Sequence, residues 1–152
     1  MSVLPSQLAE SIHSVLNGAS ISREEKARRI AEAIRASRNY RWVGLYDVGA
    51  KEIAAIAWTG TEAPVYPQFP VSKGVMWRCR SLGVVVVVND VSRDPRYLTT
   101  FGSTKSEMIV PVKADGSVVG LIDVESEKLN AFGDGDRQLL ENCTQALISL
   151  WK

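Results

Sequence analysis

Apolar residues recur at helical spacing at the start of the chain. Leu4, Leu8, Ile12 and Val15 predict an amphipathic helix from about Ser6 to Leu16, stopped by Asn17-Gly18. Ser22 and Glu25 have capping-box form and open a second helix. Its apolar face is Ala27, Ile30, Ala31 and Ile34, and its charged outer face reads as a solvated surface. The period then shortens to two. Trp42 to Val48 and Ile53 to Trp58 read as an antiparallel hairpin turning at Gly49-Ala50. Residues 60–70 carry three prolines and read as a loop. A short helix is expected from Ser72 or Lys73 to Leu82, closed by Gly83. The five valines Val84 to Val88 suit a strand covered on both faces, and an irregular segment follows to about Thr104. Glu107 to Lys113 and Ser117 to Glu125 form a second hairpin on the Asp115-Gly116 turn. From about Asp136, Leu139, Leu140, Cys143, Ala146, Leu147 and Leu150 predict a last amphipathic helix. The class is α+β: an antiparallel sheet of about five or six strands, helices on one face and loops roofing a pocket on the other.

Composition narrows the chemistry. At 152 residues, 45% of them hydrophobic, the chain suits one compact domain, here 1–152. The N-terminal helices take about 4–37, the sheet and pocket about 40–126, and the last helix about 136–151. A net charge of +1 removes the broad positive field of a nucleic-acid binder. His13 is the one histidine, and Cys79 and Cys143 are the two cysteines. That inventory excludes a histidine-rich metal site, a CxxC zinc site and a disulfide framework, and no metal or cofactor is expected. It also makes Ser-His-Asp or Cys-His catalysis implausible. No signal peptide or membrane span is visible, so a soluble, cytoplasmic protein with no membrane partner is expected.

Four motifs, in this order, carry a resemblance. They are Trp42-Val-Gly-Leu-Tyr46, Phe69-Pro-Val-Ser-Lys-Gly-Val-Met76, Ser106-Glu-Met-Ile-Val-Pro-Val112 and Gly120-Leu-Ile-Asp-Val-Glu-Ser126. The chain resembles a GAF domain, most narrowly the single-domain free methionine-(R)-sulfoxide reductases. The resemblance implies that Trp42 and Tyr46 face the sulfur end of a ligand. It implies that Glu107, Asp123 and Glu125 hold its ammonium group, with Met76 and Thr100 lining the pocket. The family pattern has aspartate at Glu125; the extra methylene takes up room and allows a smaller or shifted ligand. The family's catalytic thiols fall at positions occupied here by Tyr66, Met76 and Thr100. Thiol reduction of a sulfoxide needs a thiolate and a second, resolving thiol, and none of these residues supplies one. Cys79, flanked by Arg78 and Arg80, is the one substitute if the protein is an enzyme; Cys143 reads as a buried, inert thiol.

The residues also have plainer readings. Asp123 and Glu125 share a strand face with Val119 and Leu121, opposite Val118, Ile122 and Val124. Acids on such a face often line the solvated side of a sheet; the two apolar neighbours favour a roofed one. Trp42 and Tyr46, read without the motif, are packing aromatics. Glu107 beside Ile109 and Pro111 wants a cationic partner, either a ligand amine or a basic side chain. Ser72-Lys73-Gly74 is a weak anion signal. The first reading is therefore a non-catalytic domain binding a free amino acid or similar small zwitterion. The alternatives are a reductase-like enzyme using Cys79 and a dimeric protein-interaction module. Apolar stripes on the first and last helices suggest a homodimer, and any signal would pass to a separate effector protein.

Overall fold

A computed structural model of the chain describes residues 4–18, 20–98 and 101–151. Helices α1 (Pro5–Asn17) and α2 (Arg23–Ser37) come first. Ser22 caps α2, its side-chain oxygen accepting the Glu25 N–H at 3.1 Å. The other half of the expected capping box does not form, because Arg28 and Arg29 engage the Glu25 carboxylate instead.

Strands β1 (Trp42–Val48), β2 (Glu52–Thr59), β3 (Gln68–Pro70), β4 (Val86–Val88), β5 (Ser106–Ala114) and β6 (Ser117–Ser126) make one sheet. Its order is β3-β2-β1-β6-β5-β4, and every neighbouring pair is antiparallel. β3 emerges from the stretch expected to be loop. Pro70 is tolerated there because β3 is an edge strand, where a missing N–H leaves no ladder bond unmade. Helices α3 (Met76–Leu82) and α4 (Asp134–Leu147) complete the α+β architecture. Gly83 ends α3 in the left-handed region, at φ +63°, with its N–H bonded to Cys79 O at 2.8 Å.

The pleat separates two cores. Val43, Leu45, Met108, Val110, Ile122 and Val124 pack against α1, α2 and α4. Trp42, Tyr46, Ile109 and Leu121 face the other way, toward α3 and the irregular segments. α3 thus joins the roof and leaves three helices in the helical layer.

Two expectations need correction. The β5–β6 register steps from Val112↔Gly120 to Lys113↔Val118, a β-bulge at Val119. A one-residue slip exchanges the faces beyond it. Val118 therefore packs on the α3 side and Val119 on the helix side, the reverse of the strict alternation. The valine run is also not a doubly covered strand. Only Val86–Val88 is extended, on an edge, with Val84 and Val87 exposed while Val86 and Val88 turn into the α3-side core. Among the described residues no helix is long and apolar enough to cross a membrane.

Candidate functional site

Register brings the predicted residues together on the α3 side of the sheet. Glu125 of β6 stands between Trp42 of β1 and Glu107 of β5, and Asp123 stands between Gly44 and Ile109. Tyr46 is opposite Leu121. Gly44 is required here for space. A Cβ on it would lie 2.5 Å from Trp42 Cη2 and 3.0 Å from Tyr46 Cε1, so its bare backbone lets both rings close in beside Asp123.

The three acids are buried, with Glu107 2% exposed and Asp123 and Glu125 fully enclosed. One carboxylate oxygen from each lies within 4.8 Å of the other two. Glu107 and Glu125 are direct cross-strand partners, a like-charge pairing that costs stability. Outside the three acids, no described group hydrogen-bonds to either oxygen of Asp123 or to Oε1 of Glu107. Burial, and then the neighbouring Glu125 charge, holds Glu107 well above the usual carboxylate range. Burial and Glu107 do the same to Asp123. Burial also pushes the Tyr46 hydroxyl well up, reinforced by the charges of Asp123, Glu125 and Glu107. A cluster of this kind needs either shared protons or an incoming cation. The acids are also a group with the spacing to hold a metal ion through oxygen, which an inventory of histidine and cysteine does not reveal.

A roof closes the site. The Tyr97 hydroxyl donates to Glu125 Oε1 at 3.0 Å. Phe101 meets Trp42 edge-on, with ring centroids 5.6 Å apart, and Arg41 lies over the Phe101 ring. The Trp42 indole N–H donates to Glu62 O at 2.8 Å, and Phe69 packs edge-on against Tyr46. What remains is a cavity of about 20 Å³ lined by Tyr46, Tyr66, Phe69, Gly74, Val75, Met76, Leu98 and Glu107. That is room for roughly one water. Phe69 stood in a motif without a role, and Tyr97, Leu98 and Phe101 had no place in the motif reading. Their signal was aromatic and apolar side chains within the two irregular segments expected to roof the sheet.

Met76 lines the cavity, and Tyr66 lines it while remaining half-exposed. Thr100 lies outside the described residues. Cys79 is on the buried face of α3, its thiol 3.8 Å from Ile109 O, and does not line the cavity. Burial, reinforced by Asp123, pushes its thiol up to about 12. The flanking arginines therefore give no thiolate; Arg78 is turned to Asp94 at 3.5 Å. Cys143, with its thiol donating to Leu140 O at 3.2 Å, is likewise pushed up to about 12 by burial. Trp77 stacks with Arg96, and Trp151 packs against the helix-side core, both apart from the acids.

Residues 20–147 match the GAF domain family. The free methionine-R-sulfoxide reductase of Saccharomyces cerevisiae is 30% identical over 110 residues, which are 70% of this chain and 60% of that protein. GAF domain-containing protein A of Dictyostelium discoideum is 26% identical over 119 residues, 78% of this chain and 74% of that protein. Among solved structures, the Neisseria meningitidis free methionine-R-sulfoxide reductase in complex with its substrate superposes with a TM-score of 0.85 at 25% identity. That alignment covers 97% of this chain and 88% of the other. The matched segment carries all six strands and the three facing acids, and on that match this chain belongs to the GAF domain family.

Proposed function

We propose that this GAF domain acts as a single, non-catalytic module binding a small ligand through a primary ammonium. The ligand class is a free amino acid or similar zwitterion, related to methionine or its sulfoxide. The observation that carries the reading is the convergence of three buried acids, Glu107, Asp123 and Glu125, of which Glu107 and Asp123 are short of donors among the described residues. An ammonium donating three charge-assisted bonds of about 2.8 Å sets its acceptors about 4.6 Å apart at tetrahedral angles. The spacing within 4.8 Å agrees with that. Trp42 and Tyr46 supply aromatic faces for the apolar end. The ligand class comes from the yeast and Neisseria relatives, whose names specify free methionine sulfoxide.

The non-catalytic part rests on thiol chemistry. Tyr66, Met76 and Thr100 stand where the family resemblance puts cysteines, and the buried Cys79 thiol stays protonated at neutral pH. A thermal-shift and calorimetric screen of free amino acids, including methionine and both sulfoxide epimers, tests binding. A hit lost in Glu107→Gln and Asp123→Asn is expected. No hit at millimolar concentration overturns the reading. Thioredoxin-coupled turnover of free methionine sulfoxide above that of Cys79→Ser would instead establish the enzyme.

The closed cavity of about 20 Å³ favours one second reading. With Tyr97, Leu98 and Met76 filling the pocket, the domain would serve as a homodimer passing a signal to a separate effector protein. A monomer in sedimentation at micromolar concentration removes that reading.

A further inference from the structure

We propose that β4 is a docking edge, to which an extended acidic segment of a partner protein adds as a further strand, whatever the buried acids bind. The sheet ends at β4, and among the described residues no strand lies beside its outer backbone N–H and C=O groups. Such an edge is a template for pairing unless something blunts it. At the opposite edge β3 carries Pro70, which does so. β4 and the residues leading into it are Val84 to Val88, with neither a proline nor a charge. Leu82, Val84 and Val87 are 65%, 46% and 37% exposed along this stretch. Large apolar side chains exposed together mark a surface that meets a partner.

Clefts open on both faces of the edge. On the α3 side, one of about 390 Å³ is lined by Val87, Val88, Arg78, Arg93, Asp90 and Asp94. On the helix side, one of about 240 Å³ runs along Val84, Val85 and Pro111. An added strand sends alternate side chains to opposite faces, so each cleft receives one set.

Charge selects the occupant. Between Val71 and Leu98 the basic residues are Lys73, Arg78, Arg80, Arg93 and Arg96, and the acids are only Asp90 and Asp94. Asp94 faces Arg78 at 3.5 Å and Asp90 faces Arg93 at 3.6 Å. Lys73, Arg80 and Arg96 are left without an ion pair among the described residues. A surplus of three positive charges thus sits on this segment of a chain whose net charge is +1. Pairing β4 with β4 of a second copy would bring two such surpluses together, and like charges across an interface repel. An acidic strand complements the surplus. The ladder bonds supply its affinity, and the charges steer it and exclude basic competitors.

A fluorescein-labelled peptide of alternating glutamate and valine, about six residues long, tests this on the intact chain. Its anisotropy should rise to saturation, and added salt should weaken binding. The amides of Val86–Val88 should gain protection from hydrogen exchange as it binds. The same peptide with lysine in place of glutamate should bind about ten-fold more weakly or not at all. Val87→Glu and Arg93→Glu, both at exposed positions, should each weaken binding by about ten-fold. Val65→Glu, equally open to solvent in the loop before β3, should leave it unchanged. Circular dichroism verifies the fold of each variant. No saturation at millimolar peptide, equal binding of the lysine peptide, binding that survives both edge variants, or protection absent from β4 overturns the proposal. So does a dimer in sedimentation that Val87→Glu dissolves, because a second copy then covers the edge. Binding to vesicles of anionic phospholipid in place of the peptide overturns it as well.

Discussion

Glu107 concentrates the conflict between stability and use. Its side chain is 2% exposed and faces Glu125 directly across the ladder. Its folded-state proton affinity is raised by burial and by that neighbouring charge. An acid raised in this way favours the fold when protonated. That contribution is complete below the unfolded value of about 4.3 and is lost as pH climbs to the folded value. At neutral pH the empty protein therefore carries a penalty that a neutral isostere removes. Glu107→Gln should raise stability at pH 7 by about 1–3 kcal/mol, and the gain should vanish near pH 4. For a chain of this size that is roughly 2–10 °C in melting temperature. The same variant should lose its thermal response to ligand. Calorimetric melts of both proteins at pH 4 and 7 check this, and a variant less stable at both values would refute it. Stability gained at the cost of binding is the usual mark of a residue kept for function.

At the scale of elements, Asp136 shows the opposite arrangement. Near the start of α4 it accepts the Tyr40 hydroxyl at 2.6 Å, the Gly133 N–H at 2.9 Å and Arg38 at 3.1 Å. Burial opposes its ionisation, but these donors outweigh it and hold the carboxyl below its usual range. They tie the end of α2 and the start of β1 to α4. Asp136→Asn should cost about 1–3 kcal/mol at pH 7, and the deficit should shrink as pH falls below about 3.9. Denaturant unfolding at the two ends of that range measures it. What the sequence made legible follows from the same contrast. Local signals sufficed for the Ser22 cap, the Gly83 stop and the alternation that puts Asp123 and Glu125 on one face, whereas Glu107 was joined to them by the family resemblance and by the β5–β6 register. Tertiary pairing decided the rest. Val119 changed face because a bulge inserts one residue, which no periodicity announces. The valine run was placed on an edge by strand order, which composition does not encode. Gln68–Pro70 is a strand through its pairing with the edge of β2 away from β1, a long-range contact that a proline-rich stretch does not announce. Tyr97 reached Glu125 through a segment with no period of its own. Cys79 looked activated by its chain neighbours and was silenced by its spatial ones.

At the scale of the whole molecule, two cores share one sheet and do different work. The helix side packs apolar residues against α1, α2 and α4, with Asp136 held by hydrogen bonds near the start of α4. The α3 side mixes aromatics with three acids, of which Glu107 and Asp123 have no ion pair among the described residues, and its cavity measures about 20 Å³. The empty domain holds its acids with protons and with the Tyr97 hydroxyl; a cationic ligand would replace both. Binding should therefore release protons, because Glu107 and Asp123 are raised when the site is empty and would ionise against a cation. By linkage, affinity should rise with pH until both acids are ionised in the free protein, then level off. Each pH unit over which one proton is released is worth about ten-fold in affinity. Calorimetric titration in two buffers of different ionisation enthalpy reads the proton count directly. Glu107→Gln should reduce that count wherever residual binding can be measured. A binding enthalpy independent of buffer, with affinity flat from pH 5 to 8, would mean that the acids are already ionised in the empty site and that something other than protons balances them.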